Sequence, residues 1–172
     1  MSRTSAKFLL IFVCSFLAGF GLLITPAGRP LMVKYSAAVV RLSAALISTF
    51  GGTAKVDGEQ GVVLLHPSNQ LGVAMMDGCN GINVTVLLCS AVLAFPASWT
   101  ARAKGLLIGI LAIQSINVVR FISLFYILQY SKPLFDFAHH YLWESLIMLD
   151  ALVVFWLWAQ RVLRTSAIQS AA

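Results

Sequence analysis

Three side chains of this sequence could together carry out nucleophilic acyl transfer: the Cys79 thiol, the His139 imidazole and the Arg120 guanidinium. A thiolate is a strong nucleophile, and a neighbouring imidazole can generate it. Attack on a peptide carbonyl forms an oxyanion, which a fixed cation in a low-dielectric site stabilises strongly. The three residue types therefore match a nucleophile, a base and an oxyanion support, provided that the fold brings them together.

Each of these residues also has a purely structural interpretation. A free cysteine is often only a small buried hydrophobic residue, a histidine can sit at a membrane interface, and an arginine can extend its charge to the membrane surface. Cys79 differs from Cys14 and Cys89, which lie inside apolar runs, because it lies in the polar, glycine-flanked segment DGCNG at 77–81.

The composition indicates an integral membrane protein. Of the 172 residues, 59% are hydrophobic and 10% are charged, whereas soluble domains are about half apolar and a quarter charged. The mean hydropathy is +0.88. The net charge of +6 does not indicate nucleic-acid binding, since the positions of charges in a membrane protein matter more than their sum. We expect a lipid bilayer as the surroundings and no nucleic-acid partner.

Four apolar runs predict four transmembrane helices, at about residues 8–28, 79–99, 105–129 and 139–160, each near the 20 residues that a span requires. We expect an all-α integral membrane protein that forms a single membrane domain over residues 1–172. The first run could be a cleaved signal peptide. Its length, and the lack of an Ala-x-Ala site after it, favour an uncleaved anchor.

Basic residues beside the spans predict the orientation. They precede the first span, fill the turn between the second and third, and follow the fourth: Arg3, Lys7, Arg102, Lys104, Arg161 and Arg164. Four spans place all of them on one side, which we take as cytoplasmic, together with both termini. The long segment 29–77 then lies outside, although it also carries basic residues.

The external segment has two parts. In residues 31–50, apolar residues recur at helical spacing and Lys34 and Arg41 share a face, which predicts an external interfacial helix. A fifth span is the alternative, and it would invert everything downstream. Residues 53–76 combine turn signals with short extended runs, which predicts a small β-meander between the first and second spans.

This topology brings the three reactive side chains to a similar depth. Cys79 opens the second span and His139 opens the fourth, both at their outer ends. Arg120 lies fifteen residues past Gly105, which is roughly 22 Å above the cytoplasmic end of the third span. Ionisable groups inside a membrane are costly and are functional candidates by default. The sequence therefore predicts one site at the outer surface.

Other polar residues could support this site. Asn117 lies one helical turn before Arg120 and could orient the guanidinium or the substrate, or bond a neighbouring helix. Glu144 lies near Arg120 in depth and could be its counter-ion. Asp150 and Gln114 lie at equal depth, and we expect them to hydrogen-bond each other. No HExxH, CxxC, P-loop or GxGxxG motif is present, so we expect no cofactor and no metal.

Three motifs, in this order, resemble the exosortase/archaeosortase family: DGCNGI at 77–82, NVVRFISLFY at 117–126 and FDFAHHYLW at 135–143. The short chain is most similar to the exosortase H branch. The resemblance covers about residues 75–160 and implies a multi-pass cysteine transpeptidase of the bacterial inner (plasma) membrane. Its active site would face the periplasm, where an exported substrate arrives.

The resemblance also implies a substrate and residue roles. Such substrates are exported proteins whose C-terminal sorting signal has a short motif, a transmembrane helix and a basic tail; for the exosortase H branch the motif is of the IPTLxxWG type. The acyl-enzyme passes to an amine, a hydroxyl or water, and the acceptor stays open. By motif position, Cys79 is the nucleophile, Arg120 the essential arginine and His139 the base. His140 is the alternative base. We prefer His139, because Trp143 then occupies the position, four residues later, at which many family members have glycine.

Two departures from the wider family bear on the substrate motif: Asn80 stands where serine usually follows the cysteine, and Trp143 replaces the glycine. The chain also has about half the spans of the long exosortases. A hydrolase would use the same Cys79 acylation with water as acceptor. A non-catalytic membrane scaffold or assembly factor is the alternative of a different class, and it predicts that Cys79→Ser is silent.

Overall fold

The computed structural model describes the backbone of residues 3–171 and the side chains of residues 5–165. Its elements, in chain order, are α1 (Arg3–Ile24), α2 (Gly28–Thr49), β1 (Lys55–Asp57), β2 (Val63–Leu65), β3 (Gly72–Ala74), α3 (Ile82–Ala94), α4 (Trp99–Tyr130), α5 (Lys132–Phe137), a π-helical turn (Ala138–Leu142) and α6 (Trp143–Ala171). Both chain termini were predicted to be cytoplasmic, but residues 1–2 and 172 lie outside the described residues. The side chain of Arg3, one of the basic residues used to predict the orientation, also lies outside them.

Four helical segments of the described chain are long and apolar enough to cross a membrane: Ser5–Ile24, Gly28–Thr49, Trp99–Tyr130 and Lys132–Thr165. The predicted first, third and fourth spans correspond to α1, α4 and α6. The set nevertheless differs from the prediction, because α2 has the length and hydropathy of a span whereas the region predicted as the second span forms the shorter α3.

Helix α3 is short because turn-forming residues shorten the apolar run at both ends. A glycine turn precedes Ile82, and the helix ends before Pro96, which disfavours helical geometry in Phe95 (φ −68°, ψ 137°). Its 13 residues extend about 20 Å, less than the hydrocarbon core of about 30 Å. The predicted span at 79–99 is therefore too long at both ends.

Helix α2 confirms the helix predicted within 31–50 and packs against protein along one side. Val40 and Ile47 of α2 join Phe121 and Phe125 of α4 in one buried cluster, and 44% of the α2 span window is buried, compared with 0% for α1. The interfacial placement of α2 stays a prediction.

The three strands form the predicted meander. They pair antiparallel in the order β1-β2-β3, with Val56 opposite Leu64 and Leu64 opposite Val73. Because side chains alternate along a strand, the buried Leu64 and Val73 point together into the cluster shared with α2 and α4. The sheet is thereby attached to the second half of α4, the half that carries Arg120.

A second core joins α3, α4 and α6, with Leu88, Ile113 and Ile147 among its buried members. Close backbone approach is made possible by glycines of α4, since a Cβ on Gly109 would overlap Leu88 and a Cβ on Gly105 would overlap Trp158. These contacts make α4 and α6 antiparallel. They leave Cys79, Arg120 and His139 at one end, the Cys79 end, and Lys104, Arg161 and Arg164 at the other, the basic end.

The predicted hydrogen bond between Gln114 and Asp150 is wrong. Gln114 faces α3, where its Nε2 donates to the Thr85 hydroxyl at 2.9 Å. Gln114 Oε1 and Asp150 Oδ2 are both buried and have no partner among the described residues. Equal depth did not bring them together, because the rotation of α4 about its axis turns Gln114 toward α3.

We predict that Gly105→Ala lowers the Tm of the detergent-solubilised protein. The added Cβ would lie 2.6 Å from Cε2 of Trp158, and overpacking costs about 1–3 kcal/mol, more than the roughly 1 kcal/mol that alanine gains over glycine in a helix. Gly21→Ala is the matched control, since nothing lies within 4 Å of its added Cβ. Equal Tm values for the two variants would contradict the packing described.

Candidate active site

Cys79 lies in a tight turn that leads into α3. Gly78 (φ +90°) and Gly81 (φ +74°) both adopt left-handed backbone conformations, which favour glycine because it has no Cβ. The Cys79 N–H donates to the Met76 carbonyl at 3.0 Å. The glycines that flank the cysteine in the sequence therefore have a direct role, which is to form the turn that presents the thiol.

Two fully buried asparagines anchor this turn. The Asn80 side chain accepts from the Ile82 N–H at 3.1 Å and donates to the Ser36 hydroxyl of α2 at 3.2 Å. The Asn117 Nδ2 donates to the Asn80 backbone carbonyl at 2.9 Å. Of the alternatives considered for Asn117, the structure supports bonding to a neighbouring segment: it holds the backbone beside Cys79.

His139 lies in the π-helical turn Ala138–Leu142, directly opposite Cys79. Its Nε2 is 3.4 Å from the Cys79 Sγ, within hydrogen-bonding distance for sulfur. The ring stacks on Phe135 at 5.6 Å and meets the edge of His140 at 4.7 Å. Such π-helical turns are rare and occur frequently at functional sites. The structure thus brings His139 to the thiol, and His140 packs behind it.

Cys79, Arg120 and His139 share one cavity of about 320 Å³. It lies between the glycine turn, α4 and the start of α6, and its remaining lining residues are Gly78, Gly81, Asn83, Val84, Glu144, Ile147 and Met148. The three residues singled out from the sequence therefore do converge. His140, Asn80 and Asn117 do not line the cavity, so their contribution to it is indirect.

Arg120 is buried, with 6% of its surface exposed. Among the described residues, no carboxylate lies within 4.0 Å of its guanidinium; the ion pair that they do form, Lys132–Asp136, is an exposed pair on α5. The predicted ion pair with Glu144 is therefore not formed, although Glu144 lines the same cavity. A buried cation without a counter-ion is costly, and here it borders a space in which a negative charge could form.

Two contributions were missed from the sequence. Asn83 lines the cavity; it lies four residues after Cys79, and that closeness in the sequence was the available signal. Ser36 reaches Asn80 from forty-four positions away, and nothing in the sequence marks that contact. Among the described residues, no cluster of three or more His, Cys, Asp or Glu side chains is arranged to hold a metal ion.

Residues 4–157 match the family model described as transmembrane exosortase (Exosortase_EpsH). The chain belongs to the transmembrane exosortase family. The match confirms the resemblance inferred from the three motifs, and assignment to the exosortase H branch stays a prediction. No curated protein and no solved structure matches the chain. Membership indicates a multi-pass membrane protein with a role in processing sorting signals. The members of this family are generally cysteine transpeptidases.

We predict that Gly81→Ala destabilises this exosortase more than Gly51→Ala does. Both positions have a left-handed backbone, with φ of +74° and +80°, so each substitution costs about 1–2 kcal/mol in backbone strain. Only at Gly81 does the added Cβ also meet Asn117, 3.2 Å from its Cγ; at Gly51 nothing lies within 4 Å. Thermal unfolding of both variants measures the difference, and equal destabilisation would show that Asn117 does not confine the turn.

We also predict that His139→Gln slows alkylation of Cys79 by iodoacetamide and that His140→Gln does not. We expect this because an imidazole 3.4 Å from the thiol is close enough to accept its proton, and the thiolate is the reactive form of cysteine. Mass spectrometry of the alkylated peptide distinguishes Cys79 from Cys14 and Cys89. A slower rate in the His140 variant alone would reassign the base.

Proposed function

We propose that this exosortase is a membrane-embedded cysteine transpeptidase that cleaves the C-terminal sorting signals of exported proteins. One observation carries the proposal: the Cys79 thiol and the His139 Nε2 are 3.4 Å apart and open, with the buried Arg120, into the same cavity. A nucleophile, a base in contact with it and a fixed cation are the groups that acyl transfer requires.

The first half-reaction forms a thioester. His139 accepts the Cys79 proton, and the thiolate attacks the carbonyl carbon of the scissile peptide bond. The carbonyl oxygen gains negative charge in the tetrahedral intermediate, beside the Arg120 guanidinium. When the carbon–nitrogen bond breaks, His139 returns the proton to the departing amine. The helical tail of the signal then leaves, and the rest of the substrate stays bound to Cys79 as an acyl-enzyme.

The second half-reaction regenerates the thiol. An acceptor amine, hydroxyl or water loses its proton to His139 and attacks the thioester carbonyl. The carbon–sulfur bond breaks, and the proton passes from His139 to the Cys79 sulfur. Transfer to an amine or a hydroxyl makes the protein a transpeptidase or acyl transferase, and transfer to water makes it a hydrolase.

Arg120 stabilises both tetrahedral intermediates. Removing one oxyanion donor typically lowers the rate about 10²- to 10³-fold, and the low-dielectric surroundings strengthen each charge interaction. The absence of a carboxylate within 4.0 Å, among the described residues, supports this role, because a neutralised guanidinium would stabilise a developing anion less. Glu144, which also lines the cavity, is available to contact the substrate or the incoming acceptor.

The proposed orientation follows from the two ends of the bundle. The basic end lies in the cytoplasm, by the positive-inside rule, and the Cys79 end faces the periplasm across the bacterial inner membrane. Helix α2 and the β-meander then form an outer layer over the site. A substrate tethered by its transmembrane helix, with its basic tail in the cytoplasm, would present its short motif, of the IPTLxxWG type, beside Cys79.

The test is a reporter protein with an IPTLxxWG-type C-terminal signal, co-expressed with the wild type or with Cys79→Ala. We expect the size shift of the reporter to be lost in Cys79→Ala and kept in Cys89→Ala. Cys89 is the matched control, because it is another free thiol, within α3, that does not line the cavity. Immunoblotting reads the shift, and membrane fractionation verifies that each variant is inserted.

A shift that persists in Cys79→Ala would remove this thiol as the nucleophile. A silent Cys79→Ser, with the wild type also leaving the reporter intact, would favour the non-catalytic scaffold or assembly factor. Mass spectrometry of the new C-terminus separates hydrolysis, which leaves a free carboxylate, from transfer to an acceptor, which adds its mass.

A further inference from the structure

The basic end of the bundle contains a cavity that the proposed reaction does not use. It measures about 510 Å³ and lies between the start of α4 and the Val154–Thr165 part of α6. Lys104 and Arg161 stand beside apolar walls formed by Ile108, Val154 and Trp158. Lys104 is sixteen residues before Arg120, so the cavity lies about 24 Å along α4 from the reactive site.

A second cavity adjoins it and increases the positive charge. It measures about 440 Å³ and shares Leu157 and Arg161 with the first, while Arg164 adds a third cation. Among the side chains that the structure describes, residues 5–165, no carboxylate lines either cavity. Within the described chain, none of the three cations has an acidic side chain within 4.0 Å. No acidic side chain of the described residues therefore compensates their charge.

The walls of the first cavity are held in place. The Trp158 Nε1 donates to the Ala101 carbonyl at 3.0 Å, and Gly105 lies against the same indole. Arg102, although nearby in the sequence, is already occupied: it donates to the Phe95 carbonyl at 3.1 and 3.3 Å and lies 4.8 Å from the centroid of the Trp99 ring. Lys104, Arg161 and Arg164 are thus the cations available to a ligand.

We propose that these two cavities form a binding site for one anionic phospholipid. The phosphate would lie at Lys104 and Arg161, with Arg164 beside the rest of the headgroup, and an acyl chain would follow Ile108 and Val154. Charge complementarity selects this occupant: basic pockets between transmembrane helices bind acidic headgroups. The apolar wall beside the cations suits the acyl chain of the same molecule. A zwitterionic lipid would carry its own ammonium to the cations and lose much of the attraction.

Native mass spectrometry of the detergent-purified full chain tests this, with phosphatidylglycerol and phosphatidylcholine of identical acyl chains at equal concentration. We expect one retained phosphatidylglycerol and a clear preference over phosphatidylcholine. The double substitution Lys104→Gln/Arg161→Gln should reduce the preference by about fivefold for each cation removed. Lys7→Gln is the matched control, because Lys7 is an exposed basic residue that lines neither cavity.

Equal binding of the two lipids by the wild type, or an undiminished preference in the double variant, would overturn the proposal. So would full displacement of the lipid by millimolar inorganic phosphate, because that result would describe a phosphate site without acyl-chain contacts. If the double variant is not recovered folded, the same ratio is measured for Lys104→Gln and Arg161→Gln singly, against Lys104→Arg, which keeps the charge and is expected to keep the preference.

Discussion

The geometry of the reactive end depends on one buried hydrogen bond, from the Asn117 side chain to the Asn80 carbonyl at 2.9 Å. It joins the middle of the longest helix to the turn that carries the nucleophile. Because Asn80 in turn bonds Ser36, the turn is tied to α2 and α4 at once. In an apolar environment, an amide without these partners would be destabilised by its full desolvation penalty. The turn therefore has few alternative positions.

The cost of burying polar groups also explains the shape of the site. Arg120 is a cation in a helix long enough to span a bilayer, yet it opens onto a cavity lined by a thiol, an imidazole, an amide and a carboxylate. Residues of this kind, when they occur at membrane depth, face a protein interior or a water-filled space. The cavity therefore accommodates the charge and, in the proposed reaction, is the place where Arg120 meets the substrate.

Helix α4 connects the two ends of the protein. Its 32 residues carry Lys104 near one terminus and Arg120 in the other half, and its glycines let α3 and α6 approach closely along the first half. The second half packs on α2 and the meander instead. One continuous helix thus runs from the Cys79 end, where the proposed acyl transfer takes place, to the basic end, where the proposed lipid site lies.

Much of this could be predicted from the amino-acid sequence, because hydropathy, turn chemistry and motif order are local signals. From these signals the sequence correctly predicted a membrane protein, three of its four candidate spans and the β-meander. It also predicted that Cys79, Arg120 and His139 lie together at one end. Rotation about a helix axis and the exact ends of helices depend on packing between distant segments. Only the tertiary structure therefore decided that Gln114 bonds Thr85, that α3 has 13 residues, that a π-helical turn presents His139, and that Ser36 supports the Cys79 turn.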